Sequence, residues 1–221
     1  MRSTLLSERI IDELNTLHLL KHPFYQAWNE GKLSKESLKN YAEQYFAHVE
    51  AFPRYVSAVH SLCTDDIARS ELAQNLADEE GLTGTKAHPV LWIQFAKALG
   101  VDEKELKSVP YRKATRELVE VFIAKTRSSY AEGLGALLSY EYQVPEIAET
   151  KIAGLKKYFN ITSDEGVEFF EVHRTADIYH SQSLKDAVDR LPLCDQELAR
   201  AAALQTGQAL WNFLSESYAA A

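Results

Sequence analysis

Apolar residues in this chain return every three or four positions, and no segment alternates strictly with period two. Ile10, Ile11, Leu14, Leu17 and Leu20 fall on one stripe, and Leu38, Tyr41, Tyr45, Val49 and Phe52 on another. That repeat is the angular period of an α-helix, whereas a half-buried strand would need alternation. The nine glycines and six prolines in 221 residues fall below the roughly 7% and 5% of ordinary proteins, too few for the many turns of an all-β fold. The reading is all-α, with about seven or eight helices packed as one bundle-like domain over residues 1–221.

The breakers mark the helix ends. His22-Pro23 closes the first segment, and Gly31 stops a short helix from Phe24 to Asn29. Ser34 reads as the cap of a long helix running toward Cys63, with a kink expected at Pro53. A helix from about Asp66 to Glu80 stops at Gly81, and the next begins near Pro89 and stops at Gly100. Val101 to Ser108 is short and polar, and Thr115 to Lys125 is helical. Tyr130 to Lys157 reads as a long helix interrupted by Pro145. Asp164 to Leu191 is closed by Pro192, and Asp195 to about Tyr218 is the last helix.

Charge and composition exclude several classes. With 24 Lys+Arg against 32 Asp+Glu the net charge is −8, and no basic cluster offsets it, so nucleic acid is not an expected partner. No stretch approaches the ~20 apolar residues of a membrane span. Glu8, Arg9, Asp12 and Glu13 interrupt the N-terminal apolar residues, unlike a signal peptide. The two cysteines, Cys63 and Cys194, cannot form a disulfide scaffold and are expected to be buried as small apolar residues. A reduced, cytoplasmic protein is the expectation.

Three segments carry residues with chemistry. In His173-Arg174-Thr175-Ala176-Asp177-Ile178-Tyr179-His180 the spacing places Asp177 about 40° and His180 about 20° from His173 around a helix. Phe169, Phe170, Ala176 and Leu184 make the surroundings apolar. Two buried imidazoles and a carboxylate would need an ion, a hydrogen-bond network or water; the alternative is a solvated polar stripe. In the second segment, Asp78, Glu79 and Glu80 end one helix and His88 opens the next, with Gly81 and Gly84 free to reverse the chain. Such a turn can bring Glu79 and His88 to one ion, although surface acids and an N-terminal histidine are common without one. In the third, Glu141 sits in the apolar run after Leu134–Leu138, and Pro145 cannot donate to its carbonyl. Glu141 is then aimed inward at a metal or paired with a base.

Together Glu79, His88, Glu141, His173, Asp177 and His180 make three carboxylates and three imidazoles. Such a mixed oxygen and nitrogen set suits iron or manganese rather than structural zinc. The paired Glu-x-x-His motifs of ferritin-like proteins are absent. Tyr25, Tyr41, Tyr45, Tyr55, Tyr140, Tyr142 and Tyr179 are read as core tyrosines with bonded hydroxyls, or as partners of an oxidising metal. Lys151, taken by itself, reads as a solvated surface lysine.

These residues lie in segments that resemble one known family along almost the whole chain. The segments are His22-Pro23-Phe24-Tyr25-Gln26-Ala27-Trp28, Tyr41-Ala42-Glu43-Gln44-Tyr45, the stretch from Ala51-Phe52-Pro53-Arg54-Tyr55 to His60-Ser61, Asn75-Leu76-Ala77-Asp78-Glu79-Glu80, Ser139-Tyr140-Glu141-Tyr142-Gln143-Val144-Pro145, Lys151-Ile152-Ala153-Gly154-Leu155 and the His173–His180 motif. The chain resembles the family of the chlamydial protein associating with death domains, within the heme-oxygenase-like, PQQ-synthesis-protein-C-like di-metal oxidases. The resemblance implies a seven-helix heme-oxygenase-like bundle without heme. It implies a dinuclear centre, Fe/Fe or Mn/Fe, held by Glu79, His88, Glu141, His173, Asp177 and His180, using O2 and an external reductant. It further implies synthesis of p-aminobenzoate for folate by consumption of the protein's own Tyr25, with Lys151 as amino donor and Tyr41 beside the site. A homodimer is expected at the family level. Two other classes stay open: a conventional di-iron oxidase acting on a free small molecule, and a protein that binds a death domain or another partner. A thiaminase-like relative would not need this ligand set.

Overall fold

A computed structural model describes residues 5–219. Those residues form eleven α-helical segments: α1 (Leu6–Leu14), α2 (Pro23–Asn29), α3 (Lys35–Leu62), α4 (Asp66–Glu79), α5 (His88–Leu99), α6 (Glu103–Ser108), α7 (Lys113–Ser128), α8 (Tyr130–Glu141), α9 (Val144–Tyr158), α10 (Asp164–Asp189) and α11 (Leu193–Ala219). Single 3₁₀ turns at Asn15–Leu17 and Leu19–Lys21 join α1 to α2. No strand occurs among the described residues. The all-α expectation holds, while the helix count exceeds seven or eight. The extra segments arise where breakers divide what periodicity reads as one helix. Tyr130 to Lys157 splits into α8 and α9, because Pro145 sits in the first turn of α9 and restarts the chain. The polar stretch after Val101 forms α6, capped by Asp102. Pro53, by contrast, leaves α3 unbroken over 28 residues.

Local chemistry explains the long helices. The Ser34 hydroxyl accepts the Ser37 N–H at 3.0 Å and starts α3. The Ser163 hydroxyl does the same for Gly166, and Asp164 and Glu165 fill the first turn of α10. α3 lies against α5 and α7, α10 against α5 and α9, and α8 along α11. Helices α8 and α11 touch so closely that a Cβ at Gly135 would stand 2.0 Å from the Ala199 carbonyl oxygen. The core of the bundle is aromatic, with Trp28, Trp92, Tyr41, Tyr55, Phe46 and Phe213 fully buried. Each such side chain contributes roughly 1.5–3 kcal/mol through apolar burial. No helix among the described residues is long and apolar enough to cross a membrane.

Two further expectations are corrected. Tyr179 is 53% exposed rather than a core tyrosine, because it projects beside Ile178 from the outer face of α10. Cys194 is exposed at the start of α11, whereas Cys63 is buried as expected.

Candidate metal centre

Four helices deliver the six candidate ligands. Glu79 is the last residue of α4 and His88 the first of α5. The intervening turn needs glycine at 81, where φ is +72° and a Cβ would lie 2.4 Å from the Ala87 nitrogen. Glu141 is the last residue of α8, just before the break made by Pro145. Gln143 fixes that break by accepting the Leu19 N–H at 3.0 Å and donating to the Ser139 carbonyl at 2.8 Å. His173, Asp177 and His180 point inward from one face of α10, as their spacing predicts.

All six side chains are buried. They fall into two triads, Glu79/His88/His173 and Glu141/Asp177/His180, and within each the ligand atoms lie within 4.8 Å of one another. Glu79, not Glu80, is the inward acid, since Glu80 is exposed at the helix cap. The ring nitrogens are oriented by neighbours. His173 Nδ1 lies 2.6 Å from the Phe169 carbonyl oxygen, which can only accept, so Nδ1 carries the proton and Nε2 keeps its lone pair. His180 Nε2 donates to Asp78 Oδ2 at 3.0 Å. That leaves Nδ1 facing Asp177 at 3.4 Å and Glu141 at 3.9 Å. Asn75 donates to Glu141 Oε1 at 2.9 Å.

The electrostatics are those of crowded, dry charge. Burial pushes the Glu141 carboxyl up to about 8, against the pull of His180. Burial also works against the His180 imidazolium, but Asp177, Glu141 and Asp78 outweigh it and raise that group to about 9. For His88, burial is likewise outweighed, by Glu79, and the pKa rises. His173 is lowered by burial and by the neighbouring His88. His88 Nδ1 and Glu79 Oε2 are 2.9 Å apart, but the alignment is not that of a hydrogen bond. His88 Nδ1, Glu141 Oε2 and Asp177 Oδ2 are therefore buried without a hydrogen-bond partner among the described residues. Unpaired donor atoms of this kind, converging from carboxylates and imidazoles, fit a divalent cation in each triad.

Lys151 is the chief surprise of the interior. It is 5% exposed rather than solvated. Its ammonium lies 5.0 Å from the ring centre of Tyr41, 5.1 Å from Phe170 and 5.7 Å from Tyr25. Nζ donates to the Tyr41 hydroxyl at 2.7 Å, and among the described residues no carboxylate pairs with it. Burial lowers its pKa to about 7. Tyr25 is 2% exposed, on α2, which the His22 ring starts by accepting the Phe24 N–H at 3.0 Å. A cavity of about 20 Å³ is lined by Tyr25, Lys151, Tyr45, Tyr140 and His173, so this pocket reaches the first triad.

Sequence reasoning assigned no role to Asn75, Asp78 or His48. Asp78 and Asn75 precede Glu79 by one and four residues on α4, so the helical period carries the signal for Asn75. For Asp78 the signal is its acid character beside a ligand. His48 continues the Tyr41-Tyr45 stripe of α3 by three residues.

Comparison with known proteins identifies the family and the fold. A family described as iron-containing redox enzymes matches residues 39–212. A 4-aminobenzoate synthase of Chlamydia pneumoniae is 42% identical over 216 residues, covering 96% of this chain and 92% of that protein. A 4-aminobenzoate synthase of Nitrosomonas europaea is 41% identical, covering 100% and 95%. Among solved structures, a TenA homologue from Pseudomonas syringae pv. tomato superposes with a TM-score of 0.82 at 17% identity, covering 96% and 92%. A domain with a heme oxygenase-like fold from Shewanella denitrificans gives 0.76 at 15% identity, covering 96% and 90%. A bundle of this shape, carrying carboxylate and imidazole triads at its centre and matched by the family over most of its length, belongs to the iron-containing redox enzymes with the heme-oxygenase-like fold.

Proposed function

We propose that this protein makes 4-aminobenzoate, the p-aminobenzoate of folate synthesis, from its own Tyr25, with Lys151 supplying the nitrogen. The observation that carries this reading is the enclosed pocket in which the Tyr25 ring, the Lys151 amine and His173 meet. Glu79, His88 and His173 hold one metal ion, and Glu141, Asp177 and His180 the other, as Fe/Fe or Mn/Fe. Such a pair, with an external reductant, supplies the O2-dependent electron chemistry that side chains cannot.

The protein's own residues do the rest. Lys151 stands within reach of the Tyr25 ring, and with a pKa near 7 a large share of it is the free, nucleophilic amine at neutral pH. The Tyr41 hydroxyl holds that amine in place. Burial pushes the Tyr25 phenol well above its usual pKa, so it stays protonated until an oxidant reaches it. Phe169 and Phe170 wall the pocket against water. Size argues against a free organic substrate: the cavities at the ligands measure about 10–20 Å³, while small-molecule sites usually run to about 300–1,000 Å³. A cavity of this size admits water, O2 or an anion of a few atoms, and no organic substrate.

Expression in a p-aminobenzoate auxotroph grown on ring-labelled tyrosine tests the proposal. The wild type is expected to restore growth, while Tyr25→Phe and Lys151→Arg fail. In vitro, labelled protein is expected to yield labelled 4-aminobenzoate, about one molecule per chain. Full rescue by Tyr25→Phe, or many turnovers per chain with an added substrate, overturns the sacrificial reading in favour of a conventional oxidase. Rescue undiminished in His173→Ala or Asp177→Ala overturns the metal-dependent reading, whereas no rescue by the wild type favours a partner-binding role.

A further inference from the structure

His48 is buried on α3 and has no place in the chemistry above. It is 1% exposed, and its imidazole is packed edge-on against Phe122, with ring centres 4.8 Å apart, and against Tyr140 at 5.1 Å. Neither ring nitrogen has a hydrogen-bond partner among the described residues. Burial lowers its pKa to about 3, so the ring is neutral and presents one N–H and one lone pair. An imidazole buried for packing alone would leave both unsatisfied, at a cost a phenylalanine would avoid.

The ring is not walled in on every side. With Glu79, His88 and His173 it lines a cavity of about 10 Å³, closed otherwise by Val49, Phe52, Tyr140 and Phe169. That space is near the smallest that holds one water-sized molecule. His48 lies outside the triad whose ligand atoms lie close enough to hold one ion. It therefore faces the triad across the cavity rather than joining it.

We propose that this cavity is a binding site for a water-sized ligand of the Glu79/His88/His173 ion, such as water, O2 or a small anion, and that His48 is the positioning residue that hydrogen-bonds it. A ligand in the cavity satisfies the ion on one side and the imidazole on the other. His48 thereby fixes the side of the ion on which a small molecule binds, the side bordered by Tyr140 and Phe169. The proposal rests on the metal-centre reading of the two triads.

Azide is the probe, added to the full chain loaded with cobalt(II) and followed by visible absorption. Metal content is measured first. Fewer than two ions per wild-type chain overturns the metal-centre reading and this proposal with it. With two ions bound, His48→Leu is expected to weaken azide binding about tenfold, the loss of one hydrogen bond to a charged ligand. His48→Gln, which keeps a donor and an acceptor, is expected to retain most of the affinity, and both variants to keep two ions. Equal azide affinity in wild type and His48→Leu overturns the proposal, as does an equal loss in both variants. Should His48→Leu fail to fold or load, azide-soaked crystals of the cobalt-loaded wild type decide the matter. Azide within hydrogen-bond distance of a His48 ring nitrogen supports the assignment, and azide bound on another side of the ion refutes it.

Discussion

Two neighbouring regions of the interior bury charge, and they handle it in opposite ways. The six-residue cluster sets carboxylates against imidazoles, so Glu79 raises the pKa of His88, and Asp177, Glu141 and Asp78 raise that of His180. The Lys151 pocket offers no opposing charge, only aromatic faces and the Tyr41 hydroxyl, and the amine yields by shedding its proton near neutrality. The first arrangement holds imidazole protons against carboxylates, and a divalent cation can take the place of those protons. The second abolishes charge and suits a nucleophile. Placed within one core and joined by a cavity, the two environments, in the proposed function, divide the chemistry between an oxidising site and an amine donor.

The strongest test of that division is loss of a ligand. Asp177→Ala and His173→Ala are each expected to abolish product and to drop the metal content from two ions to about one, by elemental mass spectrometry, since each triad has three ligands. Lys151→Met is expected to abolish product while leaving both ions bound. If Lys151→Met also loses metal, the two regions are not separate.

Lys151→Arg places a group that cannot deprotonate in the same aromatic pocket. A loss of about 3–5 kcal/mol in urea unfolding is expected for an unpaired buried charge. The wild-type lysine carries a smaller, pH-dependent version of that cost. Its folded pKa of about 7 lies below the ordinary lysine value of 10.5, so between those values the unfolded chain binds more protons. Stability should therefore rise with pH across that window and stay flat below it, at constant cost. The rise is absent from Lys151→Met, which should be the more stable protein at pH 6. Equal pH slopes in the two proteins would place the amine in water.

The smallest effect concerns bracing within the cluster. Asp78→Asn keeps the shape beside His180 Nε2 but removes the charge that orients it. About a tenfold fall in metal affinity is expected at the second triad alone, by competitive titration. An equal fall at both triads would mean that Asp78 acts on the whole cluster.

Much of this was legible in the sequence because it depends on periodicity. The inward face of His173, Asp177 and His180 follows from helical spacing, and the helix end after Glu141 follows from Pro145. What spacing does not carry is depth. Lys151 sits on a helix with Lys156 and Lys157, and only the packing of α2, α3 and α10 around it distinguishes the buried amine from the exposed ones. The same limit applies to Tyr179, one residue before a ligand yet turned to solvent. The pairing of Glu79 with His173, and of Glu141 with Asp177, is set by helix crossing between distant segments and has no local signature.

Glu79 and Glu141 have one more property in common, which is that each is the final residue of its helix. The peptide dipoles of α4 and α8 concentrate roughly half a negative charge at that end of each helix. An acid there sits against the grain of its own backbone, a position that surface helices give to lysine and arginine. The centre therefore begins with more negative potential than its side chains alone supply. A cation entering it meets both the carboxylates and the ends of two helices, and the backbone itself becomes part of what draws metal into the core.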